Sequence, residues 1–161
     1  MPVDIAVATD EDHDELYLAF TSIVGAGEGF PQGPPVTRED FDDYWVAHSS
    51  TVQVARADGP LIGAYYVKPN YVGRAAHIAN AGYFVLAPFR GTGLGRRLVV
   101  HSLHEARRLG FDAMMFNLVF ESNPARGLYR RLGFEEVGRV PLAVEGEDAV
   151  IYWRSLGDIE A

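Results

Sequence analysis

Cysteine is absent from the 161 residues, and lysine occurs once, as Lys68. Without cysteine the chain has no disulfides, no thiolate metal ligands and no cysteine nucleophile, and we expect no metal cofactor. No run of roughly 18 apolar residues is present, so no membrane span is predicted. The opening residues lack the basic and then apolar pattern of a signal peptide. These absences favour a cytoplasmic protein without a membrane partner.

Positive charge is also scarce, because 14 Lys and Arg residues face 22 Asp and Glu residues, for a net charge of −8. An acidic protein binds nucleic acid and anionic lipid poorly, so neither is expected as a partner. The arginines are concentrated in the second half of the chain, where one polyanion could still be held by arginine and backbone amides. They include Arg90, Arg96, Arg97, Arg107, Arg108, Arg126, Arg130 and Arg131.

The hydrophobic pattern predicts one domain spanning residues 1–161 with the element order β-α-α-β-β-β-α-β-α-β-β. This order is typical of an α/β (α+β) fold with a mixed, mostly antiparallel sheet of about seven strands and helices on both faces. Strands are predicted near 3–8, 51–57, 61–69, 76–86, 112–120, 135–144 and 149–155. Helices are predicted to follow residue 10, to run over 37–48 and 93–109, and to lie between 123 and 133.

The stretch from Gly25 to Pro35 reads GAGEGFPQGPP and is dense in glycine and proline. Such a composition predicts a loop, and its length makes it a candidate substrate lid. Within it, Phe30 is a candidate substrate contact. An ordinary surface connection explains the same composition equally well.

A second glycine-rich segment, FVLAPFRGTGLGRRL, places a strand, a turn and a helix in succession. Gly91, Gly93 and Gly95 lack Cβ atoms, so neighbouring backbone N–H groups can converge on a pyrophosphate at the positive end of the helix. Arg90 and Arg96 would add charge at its rim. The glycine spacing fits neither a P-loop nor a dinucleotide-binding fingerprint. A tight turn without a ligand is the alternative.

Here the chain resembles the GCN5-related N-acetyltransferases, whose coenzyme A loop reads R/Q-x-x-G-x-G/A. The matching residues are Arg90, Gly91, Thr92, Gly93, Leu94 and Gly95, with Arg96 following. In that family the strand before the loop splays from its parallel neighbour, and its free backbone groups pair with pantetheine. The resemblance therefore implicates Phe84 and Val85 in binding acetyl-CoA.

A second segment, SNPARGLYRRLGF, resembles the family pattern N-x-x-A-x-x-L/F-Y-x-x-x-G-F, with the alanine displaced to Ala125. We expect Asn123 to cap the helix that follows, with proline at its first position, and to reach the pantetheine. The resemblance implies that Tyr129 protonates the departing coenzyme A thiolate, although a purely structural aromatic is the alternative. Two motifs in the correct order are more specific than one.

Acyl transfer to an amine also requires a stabilised oxyanion and a base. The backbone N–H of Val85 is the candidate donor to the thioester oxygen. Deprotonating an alkylamine at neutral pH costs roughly 4–5 kcal/mol, so a base is normally needed. His77 and Glu121, at the ends of two predicted strands, are the candidates, and each is also explained as an ordinary polar residue at a strand end.

Asn80 and Asn117 each interrupt an apolar strand, in HIANAGYFV and MMFNLVF. A buried amide must be hydrogen-bonded, so the two side chains are predicted to hold a substrate carboxylate or carbonyl, or else to pair with each other. The phrases HIANAGY and FNLV also resemble the yeast-type acetyltransferases of azetidine-2-carboxylate and proline analogues. In those enzymes asparagines at matching positions bind the substrate carboxylate.

The sequence thus predicts an N-acetyltransferase that moves an acetyl group from acetyl-CoA to a small amine, such as an amino acid or an analogue. Two alternatives remain, namely a catalytically silent acyl-CoA-binding module and a protein or peptide N-acetyltransferase. The acyl chain length and the acceptor are not specified by the sequence, and a homodimer is left open.

Overall fold

The computed structural model describes residues Pro2 to Glu160. Seven strands are present, β1 (Asp4–Val7), β2 (Thr51–Arg56), β3 (Leu61–Pro69), β4 (Ile78–Val85), β5 (Ala113–Phe120), β6 (Glu135–Val144) and β7 (Glu147–Ser155). Four helices accompany them, α1 (His13–Gly25), α2 (Arg38–Phe41, continued as a π-helix over Asp42–Ala47), α3 (Leu94–Arg108) and α4 (Arg126–Arg131). The element order predicted from the sequence is confirmed.

The strands are hydrogen-bonded in the order β1-β2-β3-β4-β5-β7-β6. Neighbouring strands are antiparallel between β1 and β2, β2 and β3, β5 and β7, and β6 and β7. Strand β4 pairs with β5 in parallel, with Ile78, Ala79 and Asn80 opposite Ala113, Met114 and Met115. The predicted mixed, mostly antiparallel sheet of seven strands is therefore confirmed.

Two compact units make up the described chain. The first contains residues up to Lys68 together with Gly82–Ser102, and the second contains Pro69–Ala81 together with the residues from Leu103 onward. Strand β4 and helix α3 each contribute residues to both units. The expectation of a single N-acetyltransferase domain remains a prediction.

The core of the first unit is aromatic and joins α1 to the α2 segment. Phe20 of α1 is buried and packs against Phe30, Phe41, Tyr44 and Trp45, with ring centroids 5.1 to 6.1 Å apart. A capping box begins α2, since the Thr37 side chain accepts a hydrogen bond from the Asp40 N–H and the Asp40 carboxylate accepts one from the Thr37 N–H. Aromatic burial of this kind anchors α2 and the loop before it.

Close packing on β4 depends on glycine at two positions of the first unit. A Cβ on Gly82 would lie 2.5 to 2.7 Å from ring atoms of Tyr66, and a Cβ on Gly63 would lie 2.9 Å from the Phe84 carbonyl oxygen. Such distances are far below normal contact, so any side chain there would push the strands or the ring aside. The two glycines let β3 and β4 lie against their neighbours and fix where β4 ends.

The second unit packs β5, α4 and the last two strands around another aromatic group. Phe116, Tyr129 and Phe134 have ring centroids 4.5 to 5.9 Å apart, and Tyr152 lies 5.6 Å from Tyr129. The predicted helix cap at Asn123 is wrong, because α4 begins at Arg126 and is preceded by a turn.

None of the helices among residues 2–160 is both long and apolar enough to cross a membrane.

Candidate functional site

The glycine loop between β4 and α3 requires glycine at two positions for its backbone conformation. Gly91 and Gly93 have φ values of +75° and +86°, in the left-handed region that favours glycine. A Cβ at either position would meet no atom within 4 Å, so the conformation and not the available space demands glycine. The loop surface is thus left open to solvent or to a ligand.

Backbone N–H groups at the start of α3 are available to such a ligand. The first turns of an α-helix contain N–H groups without an intrahelical acceptor. The first backbone hydrogen bond of α3 runs from the Arg97 N–H to the Gly93 carbonyl oxygen four residues earlier, 3.1 Å away. The amides of Leu94, Gly95 and Arg96 precede it. Together with the positive end of the helix dipole, they form a site suited to a phosphate group.

The two arginines of the loop have different surroundings. Arg90 forms an ion pair with Glu28 of the Gly25–Pro35 loop, and its Nε donates to the Val85 carbonyl at 3.0 Å. Arg96 is exposed to solvent. The side chain of Arg90 therefore joins the glycine loop, the end of β4 and the candidate lid within the first unit, a link that the sequence did not predict.

Strand β4 turns one set of its backbone groups away from β3. The Leu86 N–H donates to the Ile62 carbonyl on β3 at 2.9 Å. Since successive residues of a strand alternate direction, the N–H of Val85 points to the opposite side, as do the backbone groups of Tyr83. Those of Phe84 face β3, and the Phe84 ring is buried against Trp45. Val85 thus has the orientation that an oxyanion donor needs.

Tyr129 lies on α4 with its side chain almost wholly buried. Burial, followed by the nearby Tyr152, raises the pKa of Tyr129 well above the ordinary value of a phenol. The phenol therefore keeps its proton at neutral pH and can act as a hydrogen-bond donor. The aromatic packing involves the ring of Tyr129, so it is compatible with a donor role for the hydroxyl.

Asn123 and Ala125 shape the turn that precedes α4. The Asn123 side-chain oxygen accepts a hydrogen bond from the Ala125 N–H at 2.8 Å, and the Asn123 carbonyl accepts one from the Arg126 N–H at 3.2 Å. Asn123 thus closes a turn of the type that asparagine favours. Asn123 is partly exposed in the second unit.

The two strand asparagines are held by different partners. The Asn80 amide donates to the Met115 carbonyl at 3.0 Å. Asn117 is exposed and not buried as expected, and it exchanges two hydrogen bonds with Asn70, at 3.0 and 2.6 Å. The expected alternative, Asn80 paired with Asn117, is not what forms. Asn70 was missed from the sequence because it follows β3 at a position with no pattern of its own.

The candidate bases are both exposed, but their environments differ. Glu121 accepts a hydrogen bond from Arg139 at 2.9 Å, so its carboxylate is already engaged. His77 places Nδ1 3.1 Å from the Arg74 carbonyl oxygen. A carbonyl only accepts hydrogen bonds, so Nδ1 carries the proton of the neutral ring and Nε2 keeps its lone pair.

Phe30 is buried in the aromatic core of the first unit, with ring centroids 5.1 Å from Phe20 and 6.1 Å from Tyr44. The Gly25–Pro35 loop is therefore anchored near its middle.

Comparison with known proteins identifies the family. Residues 9–134 match the model of the Acetyltransferase (GNAT) family. The chain belongs to this family. N-acetyltransferase aca1 of Schizosaccharomyces pombe is 46% identical to it, over 80% of this chain and 71% of that protein. The sequence prediction of a GNAT N-acetyltransferase is confirmed.

Solved GNAT structures share the fold. A GCN5-related N-acetyltransferase from Kribbella flavida superposes with a TM-score of 0.87 and 34% identity, over 95% of this chain and 97% of that one. The acetyltransferase yncA from Salmonella typhimurium, solved with its cofactor acetyl-CoA, superposes with a TM-score of 0.84. It is 19% identical, over 99% of this chain and 96% of that one, which supports the fold alone.

Among residues 2–160, no group of three or more His, Cys, Asp or Glu side chains is placed to hold a metal ion.

The buried phenol of Tyr129 should make the protein sensitive to alkaline pH. Its pKa is raised by folding, so its contribution to the free energy of unfolding is complete below about pH 10 and declines as the pH rises further. We expect Tyr129→Phe to lose less stability than the unmodified protein between about pH 9 and about pH 11, as measured by urea unfolding.

Tyr71→Phe is the matched control, because Tyr71 is exposed on the second unit. It should lose stability with pH as the unmodified protein does. If Tyr129→Phe and Tyr71→Phe follow the same pH dependence, the phenol of Tyr129 is not held in its protonated form by the fold.

Proposed function

We propose that this chain transfers the acetyl group of acetyl-CoA to the amine of a small molecule by direct attack. The observation that carries the proposal is the loop of Arg90–Gly95, whose left-handed glycines precede helix amides that have no intrahelical acceptor. A pyrophosphate satisfies such amides. The family assignment supports acetyl-CoA as the molecule that carries it.

In this proposal the diphosphate binds the amides between Gly91 and Arg96, with Arg96 adding charge at the rim. Thr92 supports the loop, since its hydroxyl donates to the Phe89 carbonyl at 2.6 Å. Pantetheine then pairs with the outward-facing backbone groups of Val85. The expected pairing through the Phe84 backbone is wrong, because those groups face β3, and Phe84 supports the strand through its buried ring. Asn123 and Ala125 contribute from the turn before α4.

The reaction itself forms one C–N bond and breaks one C–S bond. The amine nitrogen attacks the thioester carbonyl carbon, and the Val85 N–H stabilises the negative charge that develops on the oxygen. As the C–S bond breaks, the electron pair goes to sulfur. Tyr129 donates a hydrogen bond to that sulfur as the thiolate forms. Because the pKa of Tyr129 lies above that of a thiol, we expect its proton to pass fully to sulfur only when the proton lost by the amine is returned to the phenol oxygen, so that the net transfer is from the amine to CoA.

The acceptor amine must lose a proton during the reaction, and we propose that ordered water or the carboxylate of Glu121 receives it, although Glu121 would first have to leave Arg139. His77, the other candidate, precedes β4, and about 26 Å of strand separate it from Val85, so it is too distant to act on an amine at the thioester. Asn80 and Asn117 are proposed to donate hydrogen bonds to the acceptor.

A small acceptor is favoured over a peptide because the Gly25–Pro35 loop is held at two points, by Phe30 in the core and by Glu28 on Arg90. A loop fixed in this way suits a covered site more than an open peptide groove. The silent acyl-CoA module remains the competing function, and the presence of Tyr129 argues against it.

Thiol release from acetyl-CoA in the presence of a panel of amines and amino acids tests the proposal. We expect at least one acceptor to release CoA thiol, and Tyr129→Phe to lower kcat about 10²-fold while the Kd of acetyl-CoA is unchanged. Tyr71→Phe, exposed on the same unit, is the control and should retain full activity. Tight binding of acetyl-CoA without turnover of any acceptor would establish the silent module instead.

Glu28→Gln should tighten the binding of CoA. Removing the carboxylate frees Arg90 for the diphosphate, and an exposed ion pair of this kind contributes about 0.2–1 kcal/mol, so a gain of roughly twofold to fivefold in affinity is expected by calorimetry. In the double variant Glu28→Gln with Arg90→Gln the gain should vanish. An equal gain in both backgrounds would mean that Arg90 does not contact the cofactor.

Asn117→Ala should raise KM for the acceptor more than KM for acetyl-CoA, because it removes a hydrogen-bonding amide from the acceptor site. Asn70→Ala is the matched control, since it breaks the same pair of hydrogen bonds but leaves Asn117 in place. Equal KM values in the two variants would indicate that the pair serves only the fold.

A further inference from the structure

A cleft of about 440 Å³ lies beneath the Gly25–Pro35 loop in the first unit. Gln32 lines it from the loop, Asp40 and Tyr44 line it from the α2 segment, and Lys68 lines it from the end of β3. None of these side chains takes part in the acetyl transfer described above. Their hydrogen bonds indicate which kind of molecule the cleft accommodates.

Lys68 is a half-buried cation without an anion. Its Nζ donates to the Tyr44 main-chain oxygen at 2.9 Å and lies over the rings of Tyr44 and Tyr66, at 4.3 and 4.5 Å from their centroids. Within residues 2–160 it forms no ion pair, although nine arginines do. An ammonium group has three N–H donors, so Lys68 retains donors for a carboxylate.

Gln32, in contrast to Lys68, has a hydrogen-bond acceptor that lacks a donor among residues 2–160. Its side-chain oxygen is buried and accepts no hydrogen bond from any described residue. A buried acceptor that lacks a donor costs stability, so most such atoms in folded proteins have a partner. An N–H or O–H group of a ligand in the cleft would supply that partner.

The acidic residues of the cleft narrow the choice further. Asp40 and Asp43 both line it, and Asp40 is partly engaged by the Thr37 N–H at 3.3 Å. Two carboxylates repel a ligand that carries only negative charge, such as phosphate or a dicarboxylate. A simple amine, in turn, would leave Lys68 without its anion and place a second cation beside it.

We propose that the cleft under the Gly25–Pro35 loop binds a small amino acid, with its carboxylate on Lys68 and an amine N–H on the side-chain oxygen of Gln32. This inference rests on the proposed function, because it makes that amino acid the acetyl acceptor. A carbonyl-type oxygen that accepts an N–H leaves the nitrogen lone pair free, as nucleophilic attack requires. The cleft thereby selects a carboxylate-bearing acceptor over the corresponding amine.

Calorimetry with the full chain tests the selection without any requirement for turnover. The probes are alanine, valine and leucine, each compared with the amine that lacks its carboxylate, namely ethylamine, isobutylamine and isopentylamine. Losing one charge-assisted contact should weaken binding roughly tenfold to a hundredfold. We expect at least one amino acid to bind more tightly than its amine by that factor.

Two substitutions at the cation separate charge from packing. Lys68→Met keeps an unbranched side chain between the two tyrosine rings but removes the charge, so it should abolish the preference for the amino acid. Lys68→Arg retains the charge and should preserve the preference. Both variants should bind acetyl-CoA as the unmodified protein does, which also verifies that they fold.

Each result supports or overturns the inference. If no amino acid binds, if acid and amine bind equally, or if Lys68→Met keeps the preference, the assignment of the cleft is wrong. If amino acids bind through Lys68 but neither they nor any amine is acetylated, the cleft binds amino acids and the proposed function fails. If amino acids bind through Lys68 and only other amines are acetylated, the proposed function stands and the amino acid is not the acceptor. If amines and amino acids are acetylated equally well, the proposed function stands and the assignment of the cleft fails.

Discussion

The hydrogen bond from the Leu86 N–H to the Ile62 carbonyl is the constraint on which the first unit's site depends. It joins Leu86, the residue after β4, to β3. It therefore decides which backbone groups of β4 face β3 and which face away from it. By the alternation of a strand, Val85 must then turn its N–H away from β3. The same bond fixes the starting point of the glycine loop. A slip of one residue would reverse both sets of groups and remove the proposed oxyanion donor.

Arginine and aromatic contacts hold the parts of the first unit in place around that strand. Arg90 contacts both the end of β4 and Glu28, so the glycine loop and the Gly25–Pro35 loop are joined by one side chain. Phe30 anchors the middle of the second loop in the aromatic core. An exposed ion pair contributes less to the free energy of folding than buried aromatic packing does. Phe30 therefore does more than the Arg90–Glu28 pair to hold the loop in position.

Three candidate site residues of the second unit offer neutral hydrogen-bond donors. Tyr129 is kept protonated by burial, and Asn80 and Asn117 present neutral amides. Neutral donors of this kind suit a reaction in which the nucleophile must be uncharged when it attacks.

The sequence by itself determined the element order, the enzyme family and the glycine loop. The family was identified from two motifs in the correct order. The element order and the glycine loop rest on local physics, such as the left-handed φ of Gly91 and Gly93 or the capping of α2, which the nearby residues settle without distant contacts. Even there, Asn123 was misjudged as a helix cap, because an Asx turn and a cap use the same side-chain hydrogen bond.

Only the tertiary structure decided which partner each side chain has. The pairing of Asn117 with Asn70, of Arg90 with Glu28, and the seating of Lys68 between two tyrosine rings all join residues far apart in the chain. No spacing or periodicity in the sequence encodes such pairs, because they arise when separate segments pack together. Burial, which raises the pKa of Tyr129 and isolates the Gln32 oxygen, is likewise a property of the packed whole.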